Sequence, residues 1–453
     1  MRVLFYVFLQ TKIFSMTRRF SFLIAILLFA SICGYSQSNN GITPDKDVIG
    51  RDAPNTISTA VSFLTIAPDT RAGGLGDAGV ATTPDGNSQH WNPSKYVFIE
   101  NDFGVSISYT PWLRQLVSDM NLAYLSGYYK FNAQNAIGAS LLYFDLGSMV
   151  FKDINNVTIM NFRPREFSLD LSYARLLAKN FSGSVAMRFI YSNLTGGQDV
   201  GNGVSSKAGT SVAADVSFYY KNDDIMTGNL KSSVMWGLNI SNIGSKISYT
   251  SNEKRDFIPT NFRTGIGYML SFDEHNDLLF TCDFNKLLVP SSPTYYQVGE
   301  VLPSGDTVKA GGTQNIKYGK DPNISVPAAL FTSWWDAPGD ATPFVHNGKP
   351  SRFREELAEI TFSLGLEYCY SKQFAVRMGY FHEHAYKGNR KYFTVGAGLR
   401  LNVFGLDFAY LIPTGGRTSP LMNTLRFTLT FDFGGLAKEQ RDAKKAEKEA
   451  RKA

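Results

Sequence analysis

The chain has 453 residues, a formal net charge of +6, 19% charged residues and 14% aromatics. A charge that small on a chain this long, with no concentrated basic patch in its body, argues against a nucleic-acid binder. The length allows one large all-β domain or two to three ordinary ones, and the low charge with 34 Phe and 23 Tyr suits strands with an apolar outside and aromatic girdles.

Phe20–Ile32 is an apolar run directly behind Arg18 and Arg19, and Gly34 and Ser36 follow before Gln37. That order predicts a secretory signal peptide over residues 1–36, cut after Ser36. Met16 stands just before the basic pair and is an alternative start. The run is too short and wrongly flanked for a membrane-spanning helix. Cys33 would suit a lipoprotein, but Ile32 fills the preceding position, where a small residue is wanted. Past the cut only Cys282 and Cys369 remain, too few for a disulfide framework, so each is read as a free thiol.

Residues 37–100 read as a lead and a hatch. Ser38–Pro54 is polar and turn-rich, and Asn55–Val97 is glycine-rich and not convincingly β. Gly74, Gly76 and Gly79 match G-x-G-x-x-G, but a dinucleotide site needs a helix next, and Val80–Gln89 carries Pro84 and Gly86 there. Glycines that allow tight turns explain the same letters.

From Asp102 the chain alternates. Phe103, Val105, Ile107 and Tyr109 oppose Asp102, Ser106, Ser108 and Thr110. In the last such stretch, Leu425, Phe427, Leu429, Phe431 and Phe433 oppose Arg426, Thr428, Thr430 and Asp432. Side chains of a strand alternate between its faces, and about ten residues suffice for a tilted strand to cross a bilayer. Further strands are predicted near 120–131, 134–146, 164–178, 181–193, 209–221, 231–241, 262–271, 276–286, 358–370, 373–384, 391–402 and 404–412. The connections alternate long and short, as in membrane barrels, and an even strand number puts both ends in the periplasm. The charges sort to the polar faces: Arg188, Arg263, Arg377, Arg400 and Arg426, with Asp170, Asp215, Asp283, Glu367, Asp407 and Asp432. Lys or Arg on the lipid side at mid-depth costs about 2–4 kcal/mol. The fold class is therefore all-β: a transmembrane antiparallel β-barrel of about 14 strands over 101–433, with an N-terminal hatch or plug.

The connection over 287–357 is too long to be passive and holds Tyr295, Tyr296, Phe331, Trp334, Trp335 and Phe344. Aromatic-rich surfaces suit binding, so Tyr295, Tyr296, Trp334 and Trp335 are the candidate partner-binding residues of an ordered external loop. His382, Glu383 and His384 lack a third metal ligand, and a solvated loop explains them. No metal, cofactor or catalytic constellation is predicted, and the chain is not read as an enzyme. Lys438–Ala453, within the tail 434–453, reads as a charged exposed helix or frayed tail on the periplasmic side.

Ala67–Thr82, with Arg71, Gly74, Gly76 and Asp77, followed by His90-Trp91-Asn92-Pro93-Ser94-Lys95, resembles the PorV family of the type IX secretion system. The glycines and the Trp91-Asn92-Pro93 triplet are more distantly similar to the hatch of the FadL family of fourteen-stranded transporters. The resemblance assigns Arg71, Gly74, Gly76, Asp77, Trp91, Asn92 and Pro93 to the hatch, with Arg71 and Asp77 facing lumenal charges. It implies a non-enzymatic shuttle of the cell outer membrane, bedded in lipid and lipopolysaccharide. Its implied partners are a translocon barrel of the Sov or SprA type, cargo with type IX C-terminal domains and a surface attachment complex. The alternative it leaves is a FadL-like channel for hydrophobic small molecules.

Overall fold

A computed structural model describes residues 55–433, apart from 115–116, 118, 153–154, 198–205, 251–254, 310–314, 415–420 and 422–423. The predicted signal peptide, lead and charged tail lie outside the described residues. Fourteen strands close into one antiparallel barrel. They are β1 Phe103–Pro111, β2 Asn121–Asn132, β3 Asn135–Asp145, β4 Arg165–Ala178, β5 Phe181–Asn193, β6 Gly209–Thr227 and β7 Leu230–Gly244. The second half is β8 Asn261–Ser271, β9 Asn276–Leu287, β10 Thr361–Tyr370, β11 Phe374–His382, β12 Lys391–Leu401, β13 Phe404–Pro413 and β14 Leu425–Asp432. Each strand pairs with its sequence neighbour, and β1 closes on β14 from Gly104↔Asp432 to Tyr109↔Phe427. No sheet edge is left open, which is what hydrocarbon demands of a strand assembly.

The period-2 pattern sets the faces. Along β4, Glu166, Ser168, Asp170 and Ser172 are buried, while Leu169, Leu171 and Tyr173 are exposed. Leu171 is 61% exposed and Met187 on β5 is 67% exposed, side by side in the register. Apolar surface of that extent is a liability in water and the lipid contact of a barrel. Outward rings gather at both rims. Phe103 stacks on Phe433 and Phe404 meets Phe431 at one end. Phe167 stacks on Tyr191 and Tyr380 meets Phe393 at the other.

The connections keep the predicted parity. β2–β3, β4–β5, β6–β7 and β12–β13 are joined by two residues each, whereas 146–164, 194–208, 245–260 and 288–360 lie at the opposite end. Two boundaries differ from the sequence reading. β6 runs on to Thr227 through a register irregularity between Asn222 and Ile225, so the turn shrinks to Gly228 and Asn229, with Gly228 at φ 65°. β10 starts at Thr361 rather than at 358, because a helix, Arg352–Ala358, occupies the residues before it. Cys282 faces outward and Cys369 inward, and both are free. Among the described residues no helix is long and apolar enough to cross a membrane.

Candidate functional site

Residues 55–100 pack against the inner wall. Short helical turns carry them: α1 Thr70–Gly74, α2 Ser88–Trp91 and a 3-10 turn Pro93–Phe98. Asp69 caps α1 by accepting the Ala72 N–H at 3.0 Å and also accepts the Trp91 indole N–H. Asn92 caps the 3-10 turn through Ser94 N–H, with Pro93 first inside it, where a missing N–H costs nothing. None of these turns is long enough to be stable alone, so the segment depends on what the wall offers.

The wall offers charge. Arg71 donates from Nη2 and Nε to the two oxygens of Glu367, at 2.7 and 3.0 Å. Its Nη1 reaches Asp85 at 2.9 Å. Glu367 is shared with Arg377, whose Nη1 lies 2.7 Å from Asp407, and Arg400 meets the same Asp407 at 2.7 Å. One alternating chain of charge thus runs from α1 across β10, β11, β12 and β13. Asp77 accepts from Arg426 at 2.6 Å and from the Tyr392 hydroxyl. Asp283 accepts the N–H groups of Gly79 and Val80 at 2.6 and 2.8 Å. Across the lumen, Arg188 pairs with Asp170 at 2.6 Å and Asp215 at 3.1 Å.

The wall also offers space. Gly237, Gly265, Gly267, Gly365, Gly379 and Gly396 face inward on β7, β8, β10, β11 and β12. A Cβ on Gly379 would strike Gly76 N, and one on Gly237 would strike Val80 O. The backbone of residues 74–81 therefore lies directly on the strands, with no side chain between.

The predicted hatch residues are placed as follows. Arg71 and Asp77 meet barrel charges as above. Gly74 O accepts from Thr394 Oγ1 and Gly76 N–H donates to it, at 3.0 and 2.9 Å. Asn92 Nδ2 donates to Val80 O and Phe218 O, at 3.2 and 2.9 Å. Trp91 is buried, with the Arg263 guanidinium 4.4 Å from its ring. Burial raises Asp69 to about 6, helped by the nearby Asp85 charge. Burial likewise lowers Lys95 to about 8, and holds His90 well below its usual value together with the charges of Arg263 and Arg188.

Two cavities flank the segment, and their described lining residues have none in common. One of about 370 Å³ opens at the short-turn end near Asp85, Lys372 and Asp432. The other, about 340 Å³, opens at the long-loop end near Asp77, Arg263 and Arg390.

The loop over 288–360 is folded. It carries a small ribbon, Thr294–Tyr295 with Ile316–Tyr318, and two helices, α3 Val326–Thr332 and α4 Arg352–Ala358. Its base is a buried cluster that the sequence reading missed. Lys286 meets Glu356 and Glu359 at 2.8 and 2.6 Å, and Lys387 meets Glu355 and Glu359 at 2.5 and 3.0 Å. Glu355 and Glu356 also accept the Gly339 and Ala337 N–H groups. The signal was Glu355-Glu356-x-x-Glu359 on one helical turn, with Lys286 at a strand end. The four predicted partner residues separate into two places. Tyr295 and Tyr296 are half-buried at the ribbon, Tyr296 beside Lys317. Trp334 and Trp335 follow α3, 37% and 54% exposed, and Trp334 packs edge-on against the outward Phe262. His382 stacks outward on Phe362, His384 caps a turn, and Glu383 pairs with Arg390, so the three do not converge.

The family comparison matches residues 50–294 to the type IX secretion system protein PorV. No curated protein matches the sequence. Among solved structures, the CymD monoaromatic hydrocarbon channel is 12% identical, covering 81% of this chain and 98% of its own, with a TM-score of 0.42. The Pseudomonas putida toluene transporter TodX is 9% identical over 83% and 98%, with a TM-score of 0.42. A Pseudomonas aeruginosa FadL homologue is 12% identical over 84% and 100%, with a TM-score of 0.38. With more than half of its length matched and a closed fourteen-strand barrel around its N-terminal segment, the chain belongs to the PorV family, as an outer-membrane β-barrel protein of type IX secretion.

Proposed function

We propose that this barrel works as a shuttle beside the translocon. It receives secreted proteins bearing C-terminal signal domains from a Sov or SprA-type barrel and passes them to the surface attachment complex. In this reading the short-turn end, where both barrel ends lie, faces the periplasm, and the loop over 288–360 meets partners outside. The observation that carries it is the pairing of a PorV-family sequence with a lumen crossed by buried ion pairs. A lumen lined in this way favours a fixed body over a passage for hydrophobic solutes, since an apolar solute gains nothing from charged walls. The exposed Phe331, Trp334 and Trp335 supply the kind of aromatic surface that anchors protein contacts. Affinity isolation of the tagged protein from detergent-solubilised membranes tests this. The translocon barrel and type IX cargo should co-isolate. Recovery of neither, together with normal cargo export in a strain lacking this barrel, would end the reading.

A further inference from the structure

Arg71, Arg188, Arg377, Arg400 and Arg426 each lie within ion-pair distance of a carboxylate. Arg263 does not, among the described residues. Its Nε donates to Asn285 Oδ1 at 2.6 Å, and its two Nη atoms meet no described acceptor. The residue is only 8% exposed and lines the cavity at the long-loop end. Asp283, two positions along the paired strand, spends one oxygen on the Gly79 and Val80 N–H groups. A buried guanidinium without a counter-ion is costly unless something in the cavity answers it.

The other charges in this cavity are already matched: Asp77 by Arg426, Glu359 by Lys286 and Lys387, and Glu383 by Arg390. One unmatched positive charge remains. A guanidinium edge holds the two oxygens of a carboxylate in parallel, and a single negative charge balances it. A dianion such as phosphate would bring excess charge toward Glu359 and Glu383. The rest of the wall is apolar beside the guanidinium: Trp91 under it, and Phe381 stacked on Tyr392 with ring centroids 4.8 Å apart. We propose that this cavity is a binding site for a small organic monocarboxylate, with its oxygens on Arg263 and its apolar body against these rings. The space of about 340 Å³ restricts it to a compact molecule. The proposal is independent of the secretion role, and its test uses no secretion partner.

The experiment is calorimetric titration of the purified full chain in an uncharged detergent with benzoate and hexanoate, and with benzamide and hexanamide as their uncharged counterparts. The acids should bind saturably, and the amides about tenfold more weakly or worse, as befits loss of a charge-assisted pair. Arg263→Gln should abolish the preference for the acid while the barrel's circular dichroism stays unchanged. Equal binding of acids and amides, no saturable binding, or a preference that survives Arg263→Gln would overturn the proposal. Should Arg263→Gln fail to fold, crystals of the unaltered protein soaked in 4-bromobenzoate decide it. Bromine signal beside Trp91 and Arg263 supports the site, and its absence there refutes it.

Discussion

Residues 55–100 and residues 288–360 are the two long stretches that do not belong to the barrel wall, and both are held to it by buried ion pairs. They use those pairs differently. The inner segment is tied along its whole length, through Arg71, Asp77, Gly79 and Val80, onto a glycine surface that admits its backbone. The outer loop is tied only at its base, through Lys286 and Lys387, and its aromatic residues Phe331, Trp334 and Trp335 stay exposed. Fixing one end of a loop leaves the other free to meet something. Fixing every turn of a segment makes it part of the wall.

The sharpest way to break this contrast is Glu367→Leu. It strips Arg71 and Arg377 of a shared carboxylate while both stay buried. Loss of one partner of a buried pair costs about 3–5 kcal/mol. The unfolding transition of the purified barrel should fall accordingly, and protease should reach the inner segment. An unchanged transition would mean that the segment is not held by charge. Next, Gly379→Ala places a methyl group against Gly76 N. Overpacking of this kind costs about 1–3 kcal/mol. Protease sensitivity should rise between residues 70 and 81 and nowhere in the outer loop.

A smaller effect concerns pH. Asp69 is raised to about 6 by burial, so its neutral form is favoured in the folded state. The resulting penalty is absent below its ordinary value of about 3.8, grows through the window up to about 6, and is complete above it. Amide exchange in α1 should therefore slow on going from pH 7 to pH 5, to the extent that Asp69 sets it. In Asp69→Asn that part of the dependence should vanish. Identical profiles for the two proteins would exclude Asp69 as its source. The smallest effect on the fold comes from replacing Trp334 and Trp335 together by Ala. Exposed positions usually change stability by within about 0.5 kcal/mol, so the transition should not move while co-isolation with the translocon weakens. Intact co-isolation would take these two residues out of partner binding.

Much of this was legible in the sequence. The alternation of β4 and β14 shows because lipid tolerates no charge on one face, and that penalty repeats every second residue. The long and short connections show because each strand must reverse at the membrane's edge. The sorting of Arg377 and Asp407 to one face was visible, but not their pairing, which depends on which strands become neighbours. The glycines could not be read. Gly379 in a strand looks like a weak point until the segment that lies on it is known. The Lys286–Glu359 pair joins residues far apart in sequence, and nothing local announces it. The helix Arg352–Ala358 was hidden inside a stretch read for its aromatic content alone.

The join between β1 and β14 carries a further consequence for how the molecule is made. The plug precedes every stave of the barrel in the chain, and the final stave is the one that seals against the first. A polypeptide laid down in that order can wrap around its own filling before the seam shuts. Moving residues 55–100 behind residue 433 would instead demand threading through a finished ring, and slower maturation of that rearranged chain in refolding into vesicles is the expected result.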